Sequence, residues 1–127
     1  METLFAAHSG LRYLVLLAGV VALAWFGWGK LAGRPFVRPA PALLAAFTGL
    51  FDLQLLLGLA LLVGGRRPPA VWGHVALMLS AAVVLHVLGR VHKRRPEPRG
   101  HGLPLLAVAL TLVFVVVGIL SIGRAIV

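Results

Sequence analysis

The chain has 127 residues, of which 61% are hydrophobic and 12% are charged, and its formal net charge is +9. Soluble domains carry about 25% charged residues, so this composition excludes an ordinary soluble domain. The chain has no cysteine, which excludes disulfides, thiolate metal sites, iron–sulfur clusters and covalently attached c-type haem, but not haem held by histidines.

Four apolar blocks follow one another along the chain, each about as long as the roughly 20 residues that span a bilayer. We predict transmembrane helices at about residues 4–28, 41–63, 71–90 and 103–123. Proline and glycine interrupt the segments between them, because proline removes a backbone donor and disfavours helix in the residue before it. The loops are short, so the sequence predicts one all-α domain, an up-down four-transmembrane-helix bundle.

Basic residues lie mainly beside the apolar blocks. The first loop carries three Lys or Arg and the stretch from Arg90 to Arg99 carries five, against Arg66, Arg67 and Arg124 on the other side. The positive-inside rule therefore predicts that both termini are outside and that the first and third loops are cytoplasmic. We interpret the net charge as a topological signal and an attraction to anionic lipid, not as a sign of nucleic-acid binding.

Ionisable side chains inside membrane spans are costly and usually face the interior of a bundle, so each marks a candidate site. Five such residues lie within the predicted spans: His8, Arg12, Asp52, His74 and His86. Gln54 is a weaker sixth candidate. His8 and His74 both lie near the start of helices predicted to run from outside to inside. Their depths therefore match, which is the arrangement in which two histidines bind one haem iron from opposite sides. We predict one b-type haem near the outer face.

Arg12 and Asp52 are open to more than one interpretation. Arg12 lies one helical turn from His8, on the same face, and serves either a haem propionate or Asp52. A bare carboxylate in the middle of a span is expensive, so Asp52 is protonated or paired. We favour an Arg12–Asp52 ion pair, with a proton-relay carboxylate as the alternative.

Of the three remaining histidines, His86 lies within a predicted span, and His92 and His101 lie in the loop that follows it. His86 is twelve residues after His74, a rotation of about 120°, so both cannot face helix 1. It forms a hydrogen bond to a neighbouring helix, lies at the interface near Arg90, or exchanges protons with a bound quinone. His92 and His101 lie in the basic third loop, where solvated side chains are expected.

Three segments resemble a family of small four-helix bacterial membrane proteins described as cytochrome-b-like. They are HSGLRYLVLL at 8–17, DLQLLLGLALL at 52–62 and GHVALMLSAAVVLHVLGR at 73–90. The resemblance implies a haem-binding protein of the bacterial inner membrane, with His8 and His74 as ligands and His86 as a third matched histidine. The chain departs from the family at Asp52, where relatives tend to carry histidine, and at Gly73, where they tend to carry glutamate.

The predicted function is one-electron transfer in the lipid bilayer, with a quinol or a respiratory protein as partner. The sequence is also compatible with a homo-oligomer. One alternative is a haem-independent anchor or assembly subunit of a respiratory complex. Another is a haem-modifying enzyme, although the glutamate and histidine–arginine motif of haem A synthases is absent.

Overall fold

The structure of the protein is a computed structural model that describes residues 1–123, so Arg124, counted above for the charge bias, lies outside the described residues. The described residues form four helices and no strand: α1 Glu2–Leu31, α2 Ala40–Val63, α3 Val71–Arg94 and α4 Gly102–Ser121. The prediction of an all-α fold with four helices is confirmed. All four are long and apolar enough to cross a membrane, which indicates a multi-pass membrane protein.

The third helix continues beyond the predicted end near residue 90. It ends at Arg94, so that His92 and Lys93 lie on its last turn. Basic side chains are favourable there because they interact with the negative end of the helix dipole. The helix ends because Arg95 precedes a proline, which pushes it out of helical geometry, and Arg95 has an extended backbone (φ −74°, ψ 146°).

The core of the protein consists of aromatic and small aliphatic residues that interlock. Phe26, Phe47 and Phe51 are fully buried, with Ala22, Ala81 and Ala107 among the buried small residues between them. Gly19 on α1 lets Leu112 of α4 come so close that a Cβ on the glycine would lie 2.5 Å from a leucine methyl carbon. Small residues at such positions allow helices in a membrane to approach closely.

The helices do not pack equally against one another. The main packing pairs are α3 with α4 and α1 with α2, α1 also packs on α4, and α2 touches α3 at few points. α2 and α3 therefore meet along little of their length. At one end of the protein the first and third loops are joined by a hydrogen bond from the Phe36 N–H to the Arg99 carbonyl at 2.8 Å.

Candidate functional site

The structure brings His8 of α1 and His74 of α3 side by side. Their ring centroids are 6.5 Å apart and their planes are nearly perpendicular, at 89°. Two imidazoles that bind one metal ion from opposite sides, at about 2.0 Å each, hold their centroids about 6 Å apart. The separation therefore matches that of two axial ligands of one iron. Among residues 1–123 no three His, Asp or Glu side chains converge as a larger metal cluster.

Hydrogen bonds to backbone carbonyls orient both imidazoles. His8 donates its Nδ1–H to the Gln54 carbonyl at 3.1 Å, and His74 donates its Nδ1–H to the Gly118 carbonyl at 2.9 Å. A carbonyl can only accept, so Nδ1 carries a proton in each imidazole. Histidines that bind metals usually donate the other ring N–H in this way, which fixes the tautomer and the ring orientation.

One glycine, Gly58, makes the close approach of His8 possible, and a second, Gly118, lies beside His74. A Cβ at Gly58 would lie 2.9 Å from Cε1 of His8, and one at Gly118 would lie 3.5 Å from Nδ1 of His74. Gly58 stands four residues after Gln54, so its missing side chain also opens the Gln54 carbonyl to His8. Gly118 lies in the last turn of α4, where helix carbonyls lack backbone partners further along the helix, and its carbonyl also accepts a hydrogen bond from the Ser121 hydroxyl at 2.8 Å.

A cavity of about 430 Å³ lies beside the two imidazoles, with mainly apolar walls from α1, α2, α3 and α4. Cofactor sites are typically clefts of about 300–1,000 Å³ with mostly apolar walls and a few polar groups. The cations that line it are Arg12 and Arg66, and its described lining contains no acidic side chain. The guanidinium of Arg66 also lies over the ring of Phe5, 3.6 Å from its centroid.

Two buried polar atoms of lining residues lack hydrogen-bond partners within the described part of the chain. They are Nε of Arg12 and Oε1 of Gln54. The Gln54 amide donates to the His8 carbonyl at 2.7 Å, and Arg12 donates from another nitrogen to the Tyr13 hydroxyl at 2.7 Å. Buried polar groups are normally satisfied, so an unpaired donor and acceptor at this cavity fit a ligand that carries polar groups.

The prediction of an Arg12–Asp52 ion pair is wrong. Asp52 accepts a hydrogen bond from Nε2–H of His86 at 2.8 Å, and Arg12 bonds to Tyr13. The side chains of His86 and Asp52 are 53% and 40% exposed, on the open side between α2 and α3. The interpretation of His86 as a hydrogen-bonding partner of a neighbouring helix is confirmed, and neither residue lines the cavity beside His8 and His74.

The expectation that His92 and His101 are solvated is also wrong, because both are buried, at 4% and 3% exposure. Their rings pack against Phe36 at centroid distances of 4.5 and 5.3 Å. His101 also donates its Nδ1–H to the Arg34 carbonyl at 3.1 Å. Both rings are therefore packed into the interior at the end of the protein opposite His8 and His74.

Of the site residues predicted from the sequence, the structure brings His8, His74 and Arg12 to one cavity and places Asp52 with His86 elsewhere. The sequence did not point to Gly58 and Arg66 as parts of the cavity, or to Gly118 as the hydrogen-bond partner of His74. Arg66 was visible only as one of the loop cations, and the two glycines do not stand out in a chain with 15. Comparisons with protein-family models, curated proteins and solved structures gave no match.

Proposed function

We propose that this protein holds one b-type haem between His8 and His74. The observation that carries the proposal is the pair of imidazoles 6.5 Å apart, each of which donates Nδ1–H to a backbone carbonyl. The apolar walls of the adjoining cavity suit a macrocycle, and Arg12 and Arg66 offer positive charge to its two propionates. The resemblance of residues 8–17 to cytochrome-b-like proteins agrees with this function.

The proposal includes an arrangement in the membrane. The helices form an up-down bundle in the bacterial cytoplasmic membrane, with both termini and the His8–His74 pair towards the outside. Contacts between the beginning of one helix and the later part of the next support the alternation: His8 meets Gly58, and His74 meets Gly118. The basic first and third loops, joined at Phe36 and Arg99, support a cytoplasmic side.

The chemistry that suits this site is one-electron transfer. A haem held here would supply one-electron exchange between ferric and ferrous iron. His8 and His74 would both be its ligands, so the site would suit electron transfer and not oxygen binding. The surrounding apolar side chains exclude water, and the carbonyl bonds raise the basicity of both imidazoles.

Titration of the purified apoprotein with haemin tests the proposal. We expect one haem per chain and a six-coordinate low-spin spectrum, with sharp b-type bands after reduction. A five-coordinate spectrum, or conversion of haem to a modified product, would instead support a haem-modifying enzyme. A chain that binds no haem would contradict the proposal and favour an anchor or assembly subunit of a respiratory complex.

Gln54 supports the ligand His8, so we expect its loss to weaken haem binding without abolishing it. Gln54→Leu removes the bond from the side-chain amide to the His8 carbonyl but keeps the backbone carbonyl that orients the imidazole. Removing a group that supports a ligand costs about 10–100-fold in metal affinity, and we expect the lower end of that range in a haemin titration. Leu56→Ala, at a 63% exposed position of the same helix, should leave the affinity unchanged. Equal effects of the two substitutions would exclude a supporting role for Gln54.

A second candidate function is favoured by the Asp52–His86 pair. A hydrogen-bonded carboxylate and imidazole that stay 40% and 53% exposed within membrane-spanning helices are accessible to a lipid-soluble molecule. A quinol that gives one electron to the haem releases one proton, and two such turns complete its oxidation to quinone. Asp52 is a base suited to accept a hydroxyl proton in each turn while His86 orients it. We include this quinol site in the proposal as the source of electrons.

Asp52→Asn tests the quinol site, because it removes the base and keeps the shape. We expect quinol-dependent reduction to slow by about 100-fold, within the range for loss of a general base, while the haem spectrum stays unchanged. Ser80→Ala is a suitable control, since the exposed Ser80 hydroxyl only bonds back to Ala76 of its own helix at 2.8 Å. A normal rate in Asp52→Asn would eliminate the pair as the proton acceptor and leave the haem site unaffected.

A further inference from the structure

A second cavity lies at the opposite end of the protein from His8 and His74. It has a volume of about 250 Å³ and is formed by the ends of α1 and α3, the third loop and the start of α4. The polar side chains that line it are Lys30, His92, Arg95 and Arg99. Three cations, Lys30, Arg95 and Arg99, therefore line this cavity, and none of them belongs to the proposed haem site.

The start of α4 adds positive potential to the same place. The ammonium nitrogen of Lys30 lies 3.6 Å from where a Cβ on Gly102 would be, directly at the first residue of α4. This helix has no side-chain cap and no acidic residue in its first turn. The amino end of a helix presents unpaired N–H groups and a partial positive charge, so a lysine at that point is repelled unless an anion lies between them.

Among the described residues 1–123, no carboxylate is left to balance the charges of Lys30 and Arg95. The chain has three acidic residues: Glu97 pairs with Arg99, Asp52 bonds to His86, and Glu2 begins α1 at the other end. Arg99 is also tied to the carbonyls of Arg95 and Lys93 at 3.0 and 2.8 Å. Lys30 and Arg95 remain as the cations that line the cavity without a carboxylate.

His92 provides an independent sign of a missing ligand. It is 96% buried, since only 4% of it is exposed, and it lines the cavity. Its ring stands edge-on to Phe36, and no hydrogen bond joins its ring nitrogens to another residue within 1–123. A buried imidazole normally finds a partner, and one that lines a cavity between cations is suited to donate to an anion.

We propose that this cavity binds a phosphate group, held by Lys30, Arg95, His92 and the first backbone N–H groups of α4. A tetrahedral anion can accept from several directions at once, which matches donors from α1, from the end of α3 and from the amino end of α4. Two sources supply this chemistry at a cytoplasmic membrane surface. One is the headgroup of an anionic phospholipid, for which basic pockets between transmembrane helices are suited, and the other is free phosphate.

The test compares Lys30→Gln/Arg95→Gln with the matched control Arg38→Gln/Arg90→Gln, which removes the same charge from exposed residues that do not line the cavity. The first arm measures binding of inorganic phosphate by calorimetry in detergent. The second arm counts phosphatidylglycerol molecules that stay bound in native mass spectrometry. The haem spectrum and thermal midpoint report whether each variant is folded, and Lys30→Gln alone serves if the double variant is not.

We expect the wild type and the control to bind one phosphate group, and the double variant to bind about 10-fold more weakly or worse for each cation removed. Binding in the lipid arm alone identifies a headgroup as the source, and binding in the phosphate arm alone identifies a soluble ligand. Two results overturn the proposal: no saturable binding in either arm, or equal loss in both double variants, which would show a diffuse attraction of the basic surface.

Discussion

Replacing His8 or His74 by alanine is expected to abolish the six-coordinate low-spin spectrum of the haem-loaded protein. Each imidazole is fixed by a carbonyl bond, at 3.1 Å for His8 and 2.9 Å for His74, and alanine provides neither a ligand nor that bond. The loss of affinity should exceed the about 10–100-fold that follows removal of a ligand's hydrogen-bond partner. Any haem that remains should be five-coordinate and high-spin, as measured by optical spectra at equal protein concentration.

The matched control for these two variants is His86→Ala. It removes a histidine from the same helix as His74, but one that bonds Asp52 and does not line the cavity. We expect its low-spin spectrum and haem content to equal those of the wild type. If His86→Ala loses the spectrum and His74→Ala keeps it, the ligand assignment is wrong.

The second large effect is expected at the other end of the protein, where Gly29→Ala should destabilise the fold. A Cβ at this position would lie 2.5 Å from two atoms of the His101 ring. That ring cannot withdraw easily, because it packs on Phe36 and Phe26 and bonds the Arg34 carbonyl. Overpacking of this kind costs about 1–3 kcal/mol, which an unfolding titration in detergent and denaturant would measure.

Gly27→Ala is the control for Gly29→Ala on the same helix. Nothing lies within 4 Å of a Cβ at Gly27, so the substitution meets open space. Alanine within a helix is favoured over glycine by about 0.5–1 kcal/mol, so we expect Gly27→Ala to be neutral or slightly stabilising. Equal free energies of unfolding for the two variants would show that the His101 ring does not fill the space beside Gly29 as tightly as the structure has it.

The helices could be predicted from the sequence because length and hydropathy determine membrane spans directly. The end of α3 was missed for a definite reason: the run of charge after Arg90 resembles a loop, but basic side chains suit the last turn of a helix. The proline after Arg95 is the feature that ends the helix. The extension carries His92 into contact with Phe36, which is why a histidine expected in solvent is buried.

The sequence predicts how deep in the membrane each site residue lies. It predicts only in part the direction in which each side chain leaves its helix. Matching positions along α1 and α3 brought His8 and His74 together, since helical rise alone sets depth. Asp52 was paired with Arg12 by depth as well, but the two helices turn these side chains to different neighbours. The roles of Gly58 and Gly118 depend on close approach between helices, which no local pattern in the sequence specifies.

The central claim is that His8 and His74 are the two axial ligands of one haem iron. Electron paramagnetic resonance of the ferric haem-loaded protein tests it most directly, because the signal depends on both the identity and the angle of the ligands. Imidazole planes at 89° leave two iron orbitals nearly equal in energy. We expect a single, highly anisotropic low-spin signal, one per chain, that disappears in His8→Ala. A high-spin signal from the wild type, or a low-spin signal that persists in His8→Ala, would contradict it.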